Sequence, residues 1–327
     1  MKSVIAASVL AMMTSTSAFA TGPDVDANIA QFAIGIQEAL NDIEDVTEAT
    51  DVVQEAVNAA NLVSLVSAGN LDTILQKSAV EQDAENSIES GYTWKQYGYS
   101  WKLVRDYVTI DDVTQSATNV ANSVSLGDKK LEGTADVLDW IKQGAFVDQY
   151  ATNDIKVADT VLDVSQTAVN AANLITLEMD APDLDKVSQF AVGDQDALNT
   201  IEFKEWIDGN ATDKKDNIIP STQDATNVVN SVSVESVNYT LAQFSAVDQK
   251  ARNVADSVGS NSKIWDFEQT AVNAANLVSI GEIDVGLGIG QLAFVSQNAS
   301  NLIDANGTVE AVVQSATNVA NSIGDLD

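Results

Sequence analysis

The side chains with chemical reach in this sequence are carboxylates, amides and hydroxyls; His and Cys are absent. Their absence removes Ser-His-Asp and Cys-His nucleophiles, His or thiolate metal ligation, and disulfides. The 48 Asp and Glu residues offer pairs for acid–base work. Yet Asp45, Asp51, Asp111, Asp112 and Asp185 lie between the recurring motifs and change from one stretch to the next, as a solubilising face does. Residues 180–185 and 208–213 carry oxygen ligands suited to Ca²⁺, but neither has EF-hand spacing. The glycine run 286–290 lacks the Lys-Ser/Thr of a phosphate loop. The expectation is no catalytic residue, no cofactor and no metal site, with only diffuse screening by Ca²⁺ or salt. The aromatic group Tyr92, Trp94, Tyr97, Tyr99, Trp101 and Tyr107 reads either as the packing of an inserted hairpin or as a place for a glycan or partner.

The amides carry the strongest signal. Gln-x-Ala-x-Asn occurs twelve times, starting with Gln37, Ala39, Asn41 and then Gln54, Ala56, Asn58. The remaining Gln and Asn pairs are Gln82 and Asn86, Gln115 and Asn119, Gln149 and Asn153, Gln166 and Asn170, and Gln195 and Asn199. They continue with Gln223 and Asn227, Gln249 and Asn253, Gln269 and Asn273, Gln297 and Asn301, and Gln314 and Asn318. The copies alternate. Odd copies have a second Gln six residues earlier, as Gln31 precedes Gln37; even copies have a second Asn seven residues after their Gln, as Asn61 follows Gln54. An odd and an even copy make one unit. Six tandem units follow, at 31–75, 76–142, 143–188, 189–242, 243–290 and 291–327, with insertions at 92–107 and 204–220.

The fixed positions of Gln-x-Ala-x-Asn all fall at even offsets, which places them on one face of a strand. A helix would need the equivalents of Ile36 to stay apolar, but they are Glu81, Asp148, Asp194, Asp248 and Ser296. A strand face of Gln, Ala and Asn is a poor core for an isolated sheet. It becomes a good one when equal residues stack rung upon rung, so that each amide bonds its own copy at the ~4.8 Å strand spacing. Asn61 and its counterparts are expected to end the even strands as turn residues. The fold class is therefore all-β, a β-solenoid of stacked strand-turn-strand repeats with Gln, Asn and Ala ladders. With one rung per half-unit, twelve rungs would span roughly 58 Å; with one per full unit, about half that.

The elements around this repeat fit export. Residues 1–20 have a basic start at Lys2, an apolar stretch and the small-x-small site Ala18-Phe19-Ala20, as a cleaved signal peptide does and a buried helix need not. Residues 21–30 form a short lead-in and 31–327 the repeat domain. No later run reaches the ~20 apolar residues of a membrane span. The net charge of -32 disfavours nucleic acid and anionic membranes as partners.

Gln37, Ala39, Asn41 and their eleven counterparts resemble the curlin repeat of secreted bacterial functional amyloids. That family's strand-turn-strand repeat runs Gln-x-Gly-x-x-Asn-x-Ala. Here Ala stands for Gly, and Asn follows Gln by four residues. The resemblance implies an exported subunit that leaves the cell largely unfolded and stacks with itself into an extracellular biofilm fibre. A nucleator or a matrix polysaccharide is the further partner it suggests. Two other readings compete: a monomeric solenoid adhesin, and an enzyme on a β-helix. The enzyme would need a fixed acid and base in one groove, and no such pair repeats.

Overall fold

The computed structural model describes residues 16–18, 27–46, 48–65, 71–97, 99–105, 108–126, 137–177, 183–208, 221–259, 262–282 and 288–325. Most of residues 1–20, half of 180–185, most of 208–213 and part of 286–290 lie outside them. Every element among the described residues is a strand.

One full unit makes one rung. The first rung is β2 (Ala27–Val46) followed by β3 (Glu48–Leu65). The second is β4 (Leu71–Ser90) and, after a small hairpin, β7 (Val108–Leu126). That hairpin pairs β5 (Tyr92–Tyr97) antiparallel with β6 (Ser100–Arg105). The third rung is the long β8 (Val137–Leu177), which runs through both arms. The fourth is β9 (Asp183–Asp208) with the start of β10 (Ser221–Ser257), and the fifth is the rest of β10 with β11 (Lys263–Glu282). The sixth is β12 (Gly288–Asp304) and β13 (Thr308–Asp325).

Odd arms stack parallel on odd arms and even on even. Gln37 lies over Gln82, then Gln149, Gln195, Gln249 and Gln297. Gln54 lies over Gln115, then Gln166, Gln223, Gln269 and Gln314. Six rungs at ~4.8 Å give a stack roughly 29 Å tall, so the taller alternative does not apply. The hairpin β5–β6 lies at the bend from the odd to the even arm, and of the expected insertion 204–220 the described part, 204–208, continues strand β9.

The two arms of a rung fold back to face each other. Between them the core is thin in the middle and thick at both ends. The thin part is a column of Ala, including Ala39, Ala56, Ala84, Ala117 and Ala151, which lets the facing sheets approach. At the odd-to-even bend, Ile43, Ile88, Ile155, Ile201 and Phe203 fill the space. At the opposite bend, Ile74, Leu126, Ile141, Leu184 and Leu241 do so. Each such burial contributes about 1.5–3 kcal/mol. Alternate positions keep this arrangement, and Gln, Asn and Ser are the only polar residues buried among the described ones.

One expectation needs correction. Asn61 and its counterparts Asn122, Asn173, Asn230, Asn276 and Asn321 do not end the strands. They sit inside them with φ between 52 and 61°, and pairing resumes at once, as Leu62 with Ser123. Asn tolerates this left-handed conformation, so the strand kinks around the core edge and Ala60 and Asn61 are both buried. The first rung has a further strand on its outer edge. β1 (Thr16–Ala18) pairs antiparallel with it, setting Thr16 opposite Gln31.

Candidate functional site: the ladders and the ends of the stack

The repeat places six amides in every rung, and each forms a column through the stack. Four columns come from the motif itself, led by Gln37, Asn41, Gln54 and Asn58. Two more are led by Gln31 and Asn61, the flanking Gln of odd copies and the second Asn of even ones. Every adjacent pair in every column is hydrogen-bonded.

The Gln columns run one way. The later rung donates to the earlier, as Gln76 Nε2 to Gln31 Oε1 at 2.8 Å and Gln82 Nε2 to Gln37 Oε1 at 2.7 Å. The same sense holds to the last rung, with Gln291 donating to Gln243, Gln297 to Gln249 and Gln314 to Gln269. The Asn columns run the other way. Asn41 Nδ2 donates forward to Asn86 Oδ1 at 2.8 Å, Asn58 to Asn119 at 3.0 Å and Asn61 to Asn122 at 2.9 Å. This sense also reaches the last rung, at Asn301, Asn318 and Asn321.

The facing arm fixes these orientations. Gln143 Nε2 also donates to the Leu174 carbonyl at 3.0 Å, and Asn153 Nδ2 to that of Thr167 at 2.8 Å. Only an N–H can face a backbone carbonyl, so the amide oxygen must point along the column. Each interior amide is thereby satisfied twice, along the stack and across it.

The ends differ from the interior. In the first rung, the Oδ1 atoms of Asn41, Asn58 and Asn61 are buried with no hydrogen-bond partner. Their counterparts in later rungs accept from the rung before. In the last rung, the ladder positions that are buried in rungs two to five lose their cover, and β12 and β13 hold no fully buried residue.

The outer face of the odd arms is charged in the middle and apolar at its ends. One column runs Ile36, Glu81, Asp148, Asp194, Asp248, Ser296. Asp83 lies beside this group. Burial first, then Glu85, Glu38 and Glu81, push its carboxyl above the usual 3.8. Arg252 offsets part of the charge by donating to Asp196 Oδ2 at 2.8 Å from the next rung. Phe32, Ile34 and Ile36 are exposed in the first rung, and Leu292, Phe294 and Leu302 in the last. A staircase of rings climbs rungs three to six, Phe146 to Phe190 to Phe244 to Phe294, with centroids 5.1–6.0 Å apart.

The even arms have an outer face of a different kind. Ala59, Val120, Ala171, Val228, Ala274 and Val319 form one column, and Leu62, Ser123, Leu174, Ser231, Leu277 and Ser322 another. Large and small residues alternate rung by rung, so each rung fills the space its neighbour leaves. The signal lies in the even motifs themselves, which alternate between NAANL and NVANS or NVVNS. Of the acids between the motifs, Asp51 and Asp112 hold equivalent places in neighbouring rungs, Asp111 lies beside Thr50 and Asp185 lies on β9; the side chain of Asp45 lies outside the described ones. Among the described residues, no group of three or more acidic residues is arranged to hold a metal ion. Comparison with protein-family models, curated proteins and solved structures finds no match.

Proposed function

We propose that the chain is an exported structural subunit that polymerises end to end into an extracellular, amyloid-like fibre of a biofilm matrix. One observation carries this reading: the last rung presents the same six ladder columns as the interior, bonded to the fifth rung on one side and, among the described residues, exposed with no rung against them on the other. Solenoids that stay monomeric close such an end with an atypical, polar rung. Here the last rung repeats the interior pattern and is poorer in charge along the odd outer face.

The acids of the inner rungs oppose close approach of chains, and salt screens them. The test incubates the purified chain from Thr21 onward at low and raised salt, followed by electron microscopy and fibre diffraction. Fibres with a reflection at ~4.8 Å, growing faster in salt, are expected. Soluble monomers at every salt level would sink the proposal.

The hairpin β5–β6 supports a second reading, a glycan- or surface-binding adhesin. Tyr99 and Trp101 stand exposed on it. Deleting residues 92–107 would then abolish surface binding, whereas the fibre reading predicts that assembly survives the deletion.

A further inference from the structure

We infer that a second copy of the mature chain docks in one orientation only, its first rung on the last rung of the copy before it, with every ladder continued in register. This rests on the fibre reading and adds its polarity and register.

Three independent observations point to this junction. The first is the sense of the ladders. Any further rung must place Gln Nε2 groups against the Oε1 atoms of Gln291, Gln297 and Gln314. In a copy stacked in the same direction, these come from Gln31, Gln37 and Gln54. The three buried, unpartnered oxygens of Asn41, Asn58 and Asn61 need N–H donors. The last rung supplies them from Asn301, Asn318 and Asn321, the residues that hold the equivalent place in its columns. Asn301 meanwhile turns its amide to the carbonyls of Gln269 and Ser315. Two last rungs meeting face to face would oppose Gln oxygens to Gln oxygens in three columns and Asn N–H to Asn N–H in the others. Two first rungs would oppose Asn oxygens to Asn oxygens.

The second observation is the alternation on the even arms. The column Leu62, Ser123, Leu174, Ser231, Leu277, Ser322 ends on Ser and begins on Leu. The Ala59 column ends on Val319 and begins on Ala59 in the same way. Six rungs is an even number, so a head-to-tail junction continues the large–small alternation without a break. A junction between like ends breaks it.

The third is charge. The four acids Glu81, Asp148, Asp194 and Asp248 stack as like charges inside the chain, but the column starts at Ile36 and finishes at Ser296. The junction therefore sets Ser296 beside Ile36. Two columns over along the strand, it sets Phe294 beside Ile34, and beyond that Leu292 beside Phe32. Like charges directly opposite on neighbouring strands are destabilising, and at the junction none meet in these columns.

Single cysteines test the junction, since the chain has none of its own. Ile34→Cys and Phe294→Cys lie on the exposed outer face, and parallel neighbours in register hold their Cα atoms ~4.8 Å apart, within disulfide reach. The two variants, starting at Thr21 and carrying tags of different mass, are mixed, assembled, pelleted and oxidised. The mixed disulfide is expected to accumulate in the pellet, with either homodimer staying at the level seen before assembly. Glu38→Cys with Asn298→Cys, four residues further along, repeats the measurement should one of the first variants fail to fold. Fibres lacking the mixed product, or giving homodimers in equal yield, overturn the junction and leave the fibre reading standing. A wild-type chain that never pellets overturns the fibre reading and the junction together.

Discussion

A buried amide is costly unless both its ends are bonded, and the ladders solve this for each residue by giving it an identical neighbour. Asn170 is typical: it accepts from Asn119, donates to Asn227 and also donates to the Asp196 carbonyl. Asn170→Ala strands all three partners, each left unsatisfied at a cost of about 1–3 kcal/mol. A loss of that order or more is expected in chemical denaturation. Asn318→Ala, in the last rung, strands only Asn273 among its column neighbours and should cost clearly less in the monomer. Equal losses would contradict the ladder account. Asp83 shows the converse, a group in an unfavourable place. Its native carboxyl binds a proton more readily than the unfolded one, because burial and three acidic neighbours raise it above 3.8. The penalty is therefore full above the raised value and absent below the ordinary Asp range. Asp83→Asn should stabilise the fold at neutral pH, and the gain should vanish in acid; a gain that persists there would exclude this cause.

Among the elements, the arm with its kink is the unit that repeats. The left-handed positions are as regular as the ladders. Besides the Asn series, Asp51, Asp112, Asp163 and Asp266 have φ between 46 and 54°, and Ala311 holds the matching place in the last rung at 53°. Asp tolerates this conformation, whereas for Ala it costs roughly 1–2 kcal/mol. Ala311→Gly should therefore raise the stability of β13, read as slower amide exchange there than in the wild type; unchanged or faster exchange would contradict it. The strand assignment and the inward face were legible in the sequence because the Gln, Ala and Asn of every motif sit at even offsets from one another. The kinks were not. Asn61 looked like a strand end, since Asn is a turn former, and only the resumption of pairing at Leu62 reveals a bend within the strand. The hairpin of 92–105 was one of two readings of the aromatic stretch, and its strands pair Trp94 with Leu103 as a hairpin requires.

At the scale of the whole molecule, twelve motifs and two possible rung sizes could not be separated by pattern alone, because each half-unit carries the same Gln-x-Ala-x-Asn. The pairing of Gln31 with Gln76 rather than with a residue of the even arm settles it at six rungs. The ladder residues of the Gln-x-Ala-x-Asn motif were visible in the sequence, whereas the Asn61 column was read as a turn. Their direction was not, because the sense of an amide depends on the carbonyls of the facing arm. Residues 16–18 add a further consequence. β1 lies antiparallel on the edge of β2 at Ile29, Ala30 and Gln31, the edge that a docking copy must use. A chain starting at Thr21 should therefore assemble with a shorter lag than the full chain at equal concentration; identical lags would contradict a blocking role for β1. The most direct measurement of the central claim is mass per length of isolated filaments by scanning transmission electron microscopy. Six rungs per chain predict one chain for every roughly 29 Å of single filament. A density of one chain per roughly 58 Å, or the absence of filaments under all conditions, would contradict it.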